Sequence, residues 1–191
     1  MRTFYTALYH VMSVPNIFQD ADGKHFGMDH EVHTAEGFTN HTVFSLWDTF
    51  RAEHPLLALI DPDRAVDLVR SLVQAYKEAG RLPVWTLWGN ETDCMIGYHS
   101  APVIFDAWMK GLRGFDMATA YEAMKHSAGL DREGLGYYRR LGYIPADRDE
   151  GPVSKTLEYA YDDWCISQAA KALGKDGDYR EFNQRSLFYK N

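Results

Sequence analysis

The chain has 191 residues, of which 46% are hydrophobic and 25% are charged, a composition typical of one globular domain. Its net charge of −7 counts against nucleic-acid binding, which needs a clustered basic surface. No apolar run approaches the roughly 20 residues of a membrane span. Cys94 and Cys165 form no C-x-x-C motif, so we expect buried free thiols and neither a disulfide framework nor a zinc site.

Helical periodicity dominates the chain, beginning with an apolar stripe from Arg2 to Met12 that ends before Pro15. The same spacing predicts further helices over residues 42–60, 62–79, 92–112, 117–128, 154–173 and 178–190. Short links alternate with long polar loops, and no segment is rich in strand patterns. This all-α plan is typical of helical hairpins. A helical repeat array would look similar, but no period of about 20 to 50 residues recurs.

Boundary residues place most of these helix ends. Pro62 after Asp61 predicts a capped start with a first-turn proline, and Gly80 predicts the end of that helix. Pro55 should divide the 42–60 helix. Further N-cap and end signals, including a capping box at 178–181, fall at Asp116, Gly129, Ser154, Gly174, Asp178 and Glu181.

Three long segments read as loops. Residues 16–40 carry a turn signal at 21–24, which predicts a small hairpin or an ordered loop. Residues 81–90 read as extended chain, and residues 129–151 are rich in glycine and charge. Aromatic residues make up 14% of the chain, which suits a sugar-binding cleft as well as an ordinary core.

A polar-aromatic cluster at residues 44–51 interrupts an apolar helix. Burying an unpaired Asp or Arg there would be unfavourable. One interpretation pairs Asp48 with Arg51 three residues later on the helix. The other lets Asp48 accept sugar hydroxyls while Trp47 offers its ring to a sugar face.

A second cluster at residues 85–93 combines two indoles, an amide and two carboxylates at a predicted junction of loop and helix. Asn90 or Thr92 could simply cap the following helix, with Glu91 favoured by the helix dipole. The same groups could instead form a polyol site. His99 lies two turns further on and could share that face, or it could be a satisfied core histidine.

A third cluster lies at residues 154–164, where Glu158 and Asp162 share a helix face at i, i+4. Two carboxylates so placed repel each other unless water, Lys155 or a cation lies between them. A metal reading of His30-Glu31-Val32-His33 is weak, because its histidines are three apart within a loop and do not form H-E-x-x-H.

Five segments together resemble the α-mannosidases of glycoside hydrolase family 92, in matching order and spacing. They are residues 4–10 (FYTALYH), 42–49 (TVFSLWDT), 89–100 (GNETDCMIGYHS), 142–147 (GYIPAD) and 154–164 (SKTLEYAYDDW). The resemblance covers nearly the whole chain. It implies part of an (α/α)6 barrel, calcium as cofactor, and inverting exo-hydrolysis of α-mannosides or N-glycans.

The resemblance also implies site residues. Trp47 and Asp48 look like the family's contact to the terminal mannose, with Glu91, His99 and Asn90 as further substrate-binding candidates. The family's general acid lies in an E-G-N-A-W-Q-Y-like run and its base in a G-N-x-D-x-G-like run, and this sequence contains neither. The calcium ligands are likewise not identifiable.

We therefore expect residues 1–191 to be a partial catalytic domain that lacks an N-terminal β-sandwich and a C-terminal catalytic segment. The rest of the parent polypeptide would be its partner, and the chain alone should be inactive. The parent enzyme is expected to be secreted or periplasmic. The alternative is a truncated, non-catalytic helical domain that binds carbohydrate or protein.

Overall fold

Nine α-helices and three short strand pairs make up the chain, which a computed structural model describes from Met1 to Asn191. The helices are α1 (Arg2–Val11), α2 (Leu46–Thr49), α3 (Glu53–Ile60), α4 (Pro62–Ala79), α5 (Ser100–Met109), α6 (Met117–Gly129), α7 (Leu135–Leu141), α8 (Pro152–Ala172) and α9 (Asp176–Arg185). A 3-10 turn, Phe188–Lys190, follows α9. None of the helices combines the length and the hydropathy that a membrane crossing requires.

Three antiparallel strand pairs lie in the loops and qualify the all-α expectation. The strands are β1 (Asn16–Ile17), β2 (Lys24–Phe26), β3 (Val32–Thr34), β4 (His41–Thr42), β5 (Thr86–Leu87) and β6 (Asn90–Glu91). β1 pairs with β4, β2 with β3, and β5 with β6. A hairpin is therefore present within residues 16–40, but its turn lies at residues 27–31. The predicted turn signal at 21–24 coincides with a separate turn before β2, in which the Gly23 N–H donates to the Asp20 carbonyl. Helices still hold most of the ordered chain.

The core lies between α4, α5, α6 and α8. Its fully buried side chains include Leu46, Leu68, Leu72, Ile104, Met124 and Ile166. Full burial of one such side chain contributes about 1.5–3 kcal/mol. α8 packs against α5, α6 and α9, so it is the central helix of the chain.

Several predicted helix boundaries agree with the structure. Asp61 accepts the backbone N–H of Arg64, and Gly80 ends α4 with a left-handed backbone at φ 73°. Asp116 caps α6 by accepting two backbone N–H groups. Those signals are local, because each involves residues within one turn of the helix end.

The prediction for residues 42–60 was wrong about the break. The helix is interrupted between Thr49 and Glu53, not at Pro55. Pro55 is the third residue of α3, where a backbone N–H has no partner within the helix, so the proline costs no hydrogen bond.

The prediction of a helix over residues 92–112 was also wrong, since α5 begins only at Ser100. Gly97 has a φ of 88°, which a right-handed helix cannot accommodate. The backbone N–H groups of Thr92 and Tyr98 are bound by Trp85 and Asp162 respectively. The hairpin bond to Trp85 and the long-range bond to Asp162 therefore hold residues 92–99 in an irregular, non-helical path.

The loop predicted at residues 129–151 contains α7. This helix has only seven residues and lies between Gly134 and Gly142, both left-handed, so its periodicity was too short to recognise. α8 begins at Pro152, not after Ser154, because proline is well suited to the first helical position.

The capping box expected at 178–181 does not form. α9 begins at Asp176, and the Asp178 carboxylate instead accepts the Tyr121 hydroxyl at 2.7 Å and the Lys125 ammonium at 2.8 Å. The helix ends at Arg185, not at residue 190. Both thiols are free, but Cys94 is exposed, so only Cys165 is the buried free thiol that was expected.

Candidate functional site

The β5–β6 hairpin is held to the chain before it by one carboxylate. Glu91 accepts the backbone N–H groups of Val84 at 2.7 Å, Trp85 at 2.9 Å and Asp93 at 3.1 Å. Three backbone donors largely occupy the Glu91 carboxylate. The structure thus places Glu91 as the group that shapes this loop, with little capacity left for a ligand.

A chain of side-chain hydrogen bonds joins this loop to α2. The Trp85 indole N–H donates to Ser45 Oγ at 2.7 Å, and the Ser45 hydroxyl donates to Asp48 Oδ2 at 2.5 Å. Asp48 is exposed, and its second oxygen, Oδ1, makes no hydrogen bond. Asp48 is therefore oriented by one oxygen and free to accept a hydroxyl with the other.

The pair expected between Asp48 and Arg51 is absent. The Arg51 guanidinium donates to the Trp47 carbonyl at 3.2 Å and to Glu158 Oε1 at 2.6 Å. Trp47 is half-buried and packs against the core, with part of its ring accessible. Of the five candidate residues, Trp47, Asp48 and Glu91 thus lie in one connected region.

Strained backbone surrounds this region. Val43, Trp88 and Asp93 have positive φ values of 63°, 56° and 54°. Such conformations are unfavourable for residues with a side chain, and they concentrate where a binding or catalytic site over-determines the backbone. Asp93 is held by the Arg81 guanidinium at 2.8 and 2.9 Å. The strain supports these loops as a functional region.

His99 is fully buried at the N-terminal end of α5. Its Nδ1 lies 2.6 Å from Asp162 Oδ1, and its ring stacks on Phe50 with a centroid distance of 4.2 Å. Asp162 also accepts the Tyr98 backbone N–H at 2.8 Å. Burial raises the pKa of Asp162, and His99 opposes that rise. This environment is that of a satisfied core histidine on its Nδ1 side.

The other nitrogen of His99 faces Glu158. Nε2 lies 3.3 Å from Glu158 Oε2, without the alignment of a hydrogen bond. His99 therefore sits between Glu158 and Asp162, the two carboxylates whose i, i+4 spacing predicted repulsion. The imidazole ring of His99 separates the two carboxylates, and Arg51 pairs with Glu158 from the other side. Lys155 takes no part, since it binds Glu133 and Asp149.

Glu158 and Arg51 open onto a cleft of about 580 Å³ between α3, α5 and α8. Its walls are formed by Phe50, Arg51, Pro55, Pro102, Asp106, Leu157, Glu158 and Tyr161. Sequence reasoning did not assign the Arg51–Glu158 pair to a site. The only feature of the sequence that pointed to this cleft was the pair of carboxylates, Glu158 and Asp162, among the aromatic residues of 154–164.

Asn90 lies at the turn end of the β5–β6 hairpin and is not part of the hydrogen-bonded chain that joins Trp85, Ser45 and Asp48. It does not cap a helix, and its Oδ1 lies 3.1 Å from His30 Nε2. His33 is bound to Asp29, so His30 and His33 do not converge. No three His, Cys, Asp or Glu side chains anywhere in the chain are placed to hold a metal ion. These side chains alone do not form a calcium site.

Comparisons with known proteins agree with this picture. The glycosyl hydrolase family 92 catalytic domain matches residues 1–191. The family 92 α-mannosidase BT3965 of Bacteroides thetaiotaomicron is 50% identical with a TM-score of 0.95, over 98% of this chain and 26% of that one. The inverting mannosidase BT2199 of the same organism is 37% identical with a TM-score of 0.89, over 99% and 27%.

A fungal protein named as an uncharacterized secreted glycosidase, from Arthroderma benhamiae, is 30% identical over 159 residues. That match covers 74% of this chain and 20% of the fungal protein. The chain thus spans about a quarter of the length of the solved relatives and a fifth of the fungal one. Because the family match runs along the entire chain, the chain belongs to glycosyl hydrolase family 92 and forms part of its catalytic domain.

Proposed function

We propose that the chain is part of an inverting exo-α-mannosidase that releases terminal mannose from α-mannosides or N-glycans. The observation that carries the proposal is the 50% identity and TM-score of 0.95 to an α-mannosidase that has also been solved with mannoimidazole. Under this proposal the helices are one part of an (α/α)6 barrel. Calcium dependence is expected of the whole enzyme, and the calcium ligands are not identified among residues 1–191.

Within that enzyme, Asp48 and Trp47 hold the terminal sugar. Asp48 has one oxygen fixed by Ser45 and one free, which suits a directed bond from a sugar hydroxyl. Trp47 presents part of an indole beside it, and aromatic faces pack well on the C–H faces of a pyranose. His99 and Glu91 do not contact the sugar under this proposal. His99 supports the site from below through its stacking on Phe50, and Glu91 holds the conformation of the neighbouring loop.

The acid and base of an inverting glycosidase are two carboxyl groups about 6.5–9.5 Å apart. We assign neither to this chain. Asp162 and Asp163 are fully buried and bound by neighbouring side chains, and Glu158 is paired with Arg51. Substrate orientation is therefore the role of this segment, and the chain alone should not hydrolyse mannosides.

The proposal is tested by Asp48→Ala in the whole enzyme, assayed with α-mannobiose. Loss of a charge-assisted hydrogen bond is worth about 1.5–3 kcal/mol, so kcat/KM should fall roughly ten- to a hundred-and-fifty-fold with little change in Tm. Asp147→Asn, at an exposed carboxylate outside the site, is the matched control and should change neither quantity. Unchanged kinetics with a lower Tm would remove Asp48 from the site.

A non-catalytic, truncated domain that binds carbohydrate or protein is the competing function. The exposed aromatic side chains of α1 and α8 are the observation that favours it. Absence of any mannoside hydrolysis by the whole enzyme, with sugar binding retained, would support this alternative.

We also propose that the enzyme is exported from the cell. The fungal relative named as a secreted glycosidase supports this proposal. Cell fractionation should find the enzyme in the periplasm or in the culture medium.

A further inference from the structure

Two hairpins meet at a surface that the terminal-sugar site does not use. Phe26 of β2 is 45% exposed and Trp88, in the turn between β5 and β6, is 62% exposed. The exposed side chains of His30 and Asn90 lie with them. We refer to Phe26, His30, Trp88 and Asn90 as the aromatic platform.

The backbone of Trp88 is fixed in an unfavourable conformation. Trp88 is the first residue of a two-residue hairpin turn and has a φ of 56°. Glycine, asparagine or aspartate is preferred at that position, because a bulky side chain is strained there. The buried Thr42 hydroxyl donates to the Trp88 carbonyl at 2.8 Å and holds the turn. The chain thus places an exposed indole at a position where glycine, asparagine or aspartate would be less strained.

The second hairpin is fitted closely against this turn. A Cβ on Gly89 would lie 2.7 Å from Phe26 Cδ1 and 3.0 Å from the Gly27 carbonyl oxygen, so only glycine permits this approach. The His30 ring stacks on Phe26 at 5.7 Å with an interplanar angle of 7°. The His30–Asn90 contact of 3.1 Å then ties the two hairpins together. These contacts fix the positions of the four platform residues relative to one another.

Its chemistry indicates the class of ligand. Two aromatic rings offer faces for C–H surfaces, and the Asn90 amide N–H₂, which has no partner, is a free donor for a hydroxyl or ring oxygen. Acidic residues outnumber lysine and arginine around the β2–β3 hairpin. The acidic residues are Asp20, Asp22, Asp29 and Glu31, and the one lysine or arginine is Lys24. An anionic ligand is disfavoured there, whereas a neutral pyranose fits.

We propose that the aromatic platform binds the sugar that precedes the terminal mannose, as an aglycone subsite. This inference rests on the proposed function, since the hairpin that carries Trp88 begins beside Trp85, which is bonded through Ser45 to Asp48. The His30 side chain orients Asn90 and supports Phe26.

The test is Trp88→Gly in the whole enzyme. Glycine removes the indole and suits the positive φ, so a fall in Tm is not expected. With α-mannobiose, kcat/KM should fall roughly tenfold, the order of one lost aromatic contact. With α-mannosyl fluoride, whose leaving group has no ring, kcat/KM should stay within about twofold. Tyr189→Ala, at an exposed aromatic residue after α9, should leave both rates unchanged.

Equal losses on both substrates, or no loss on either, would overturn the inference. Equal losses with a lower Tm would mean that Trp88 is covered by another part of the enzyme. If the unmodified enzyme hydrolyses neither substrate, the proposed function fails separately. The platform is then judged by saturation-transfer NMR with α-mannobiose, where lost transfer in Trp88→Gly supports it and retained transfer overturns it.

Discussion

Glu53 and His54, adjacent at the start of α3, give the chain a measurable pH response. Each has a buried side-chain atom without a hydrogen-bond partner, Oε1 in Glu53 and Nε2 in His54. Burial raises the pKa of Glu53 to about 7, which the nearby Arg64 partly opposes. Burial also lowers the pKa of His54 to about 4. Folding therefore favours the uncharged form of both groups.

The Glu53→Gln change isolates one of these effects. Because the folded-state pKa lies above the ordinary value of 4.5, Glu53 favours the folded state most below pH 4.5, and this contribution is lost as the pH rises through about 7. Glutamine cannot ionise, so the variant should be more stable by about 1–2 kcal/mol near pH 8 and unchanged near pH 4. Urea unfolding at several pH values measures the difference.

Glu150→Gln is the control for this prediction, because Glu150 is exposed. Its effect on the free energy of unfolding should be small at every pH. The acid-side loss of stability due to His54, which runs from its ordinary pKa of 6.5 down to about 4, should persist in both variants. A Glu53→Gln effect of equal size at all pH values would contradict the account.

The candidate site was only partly predictable from the sequence. Trp47 and Asp48 stand in one run of residues, so a motif identifies them together. The Arg51–Glu158 pair joins residues 107 positions apart, and no local pattern indicates which arginine a carboxylate will meet. Glu91 was recognised as polar, but its binding to three backbone N–H groups depends on a hairpin that the sequence did not indicate.

α8 connects the other helices through two consecutive aspartates. Asp162 binds His99 and the Tyr98 backbone at the start of α5. Asp163 accepts the Tyr98 hydroxyl at 2.5 Å, the Tyr138 hydroxyl at 3.0 Å, and the Arg185 guanidinium at 2.8 and 3.0 Å. Burial raises the pKa of Asp163 to about 6, and Arg185 opposes the rise. One helix thus fixes α5, α7 and α9.

Arg185→Met tests this connection. The variant leaves the buried Asp163 charge without its cation, and breaking such a pair costs about 3–5 kcal/mol. The loss should be larger near pH 8 than near pH 5, because a further raised Asp163 pKa lets the carboxyl group protonate in acid, and the folded state then binds the extra proton. Denaturant unfolding at both pH values measures it.

Lys125→Met provides the comparison, since the Lys125–Asp178 pair is partly exposed. Exposed ion pairs are worth at most about 1 kcal/mol, so this variant should unfold nearly as the parent does. A cost below about 1 kcal/mol for Arg185→Met at both pH values would show that the Asp163 network is not important for stability.

Helix boundaries were predictable where the signal lies within one turn. Asp61, Gly80 and Asp116 belong to this group. The start of α5 was not predictable, because residues 92–99 continue the apolar pattern of the helix. Their irregular path depends on the bond from Tyr98 N–H to the distant Asp162 and on the positive φ of Gly97. α7 was missed since its seven residues give too few repeats of the apolar spacing.

Aromatic and aliphatic side chains remain exposed on two helices of the molecule. They are Phe4, Tyr5 and Tyr9 of α1 and Leu157, Tyr161 and Trp164 of α8. Exposed apolar side chains that cluster on a helix are usually covered by another part of a protein or by association. The chain spans about a quarter of the solved family 92 enzymes, which is consistent with such cover from the remainder of a catalytic domain.

Proton NMR of the hydrolysis of 4-nitrophenyl α-mannoside tests whether the whole enzyme is a catalyst and residues 1–191 only a part of it. The two proteins are compared side by side, and the substrate's leaving group is not a sugar, so all the mannose released comes from the bond that is cleaved. The anomeric signals are followed before mutarotation. We expect the whole enzyme to release β-mannose first, as an inverting mechanism requires, and the chain alone to release none. Release of α-mannose first, no release by the whole enzyme, or turnover by residues 1–191 alone would contradict the account.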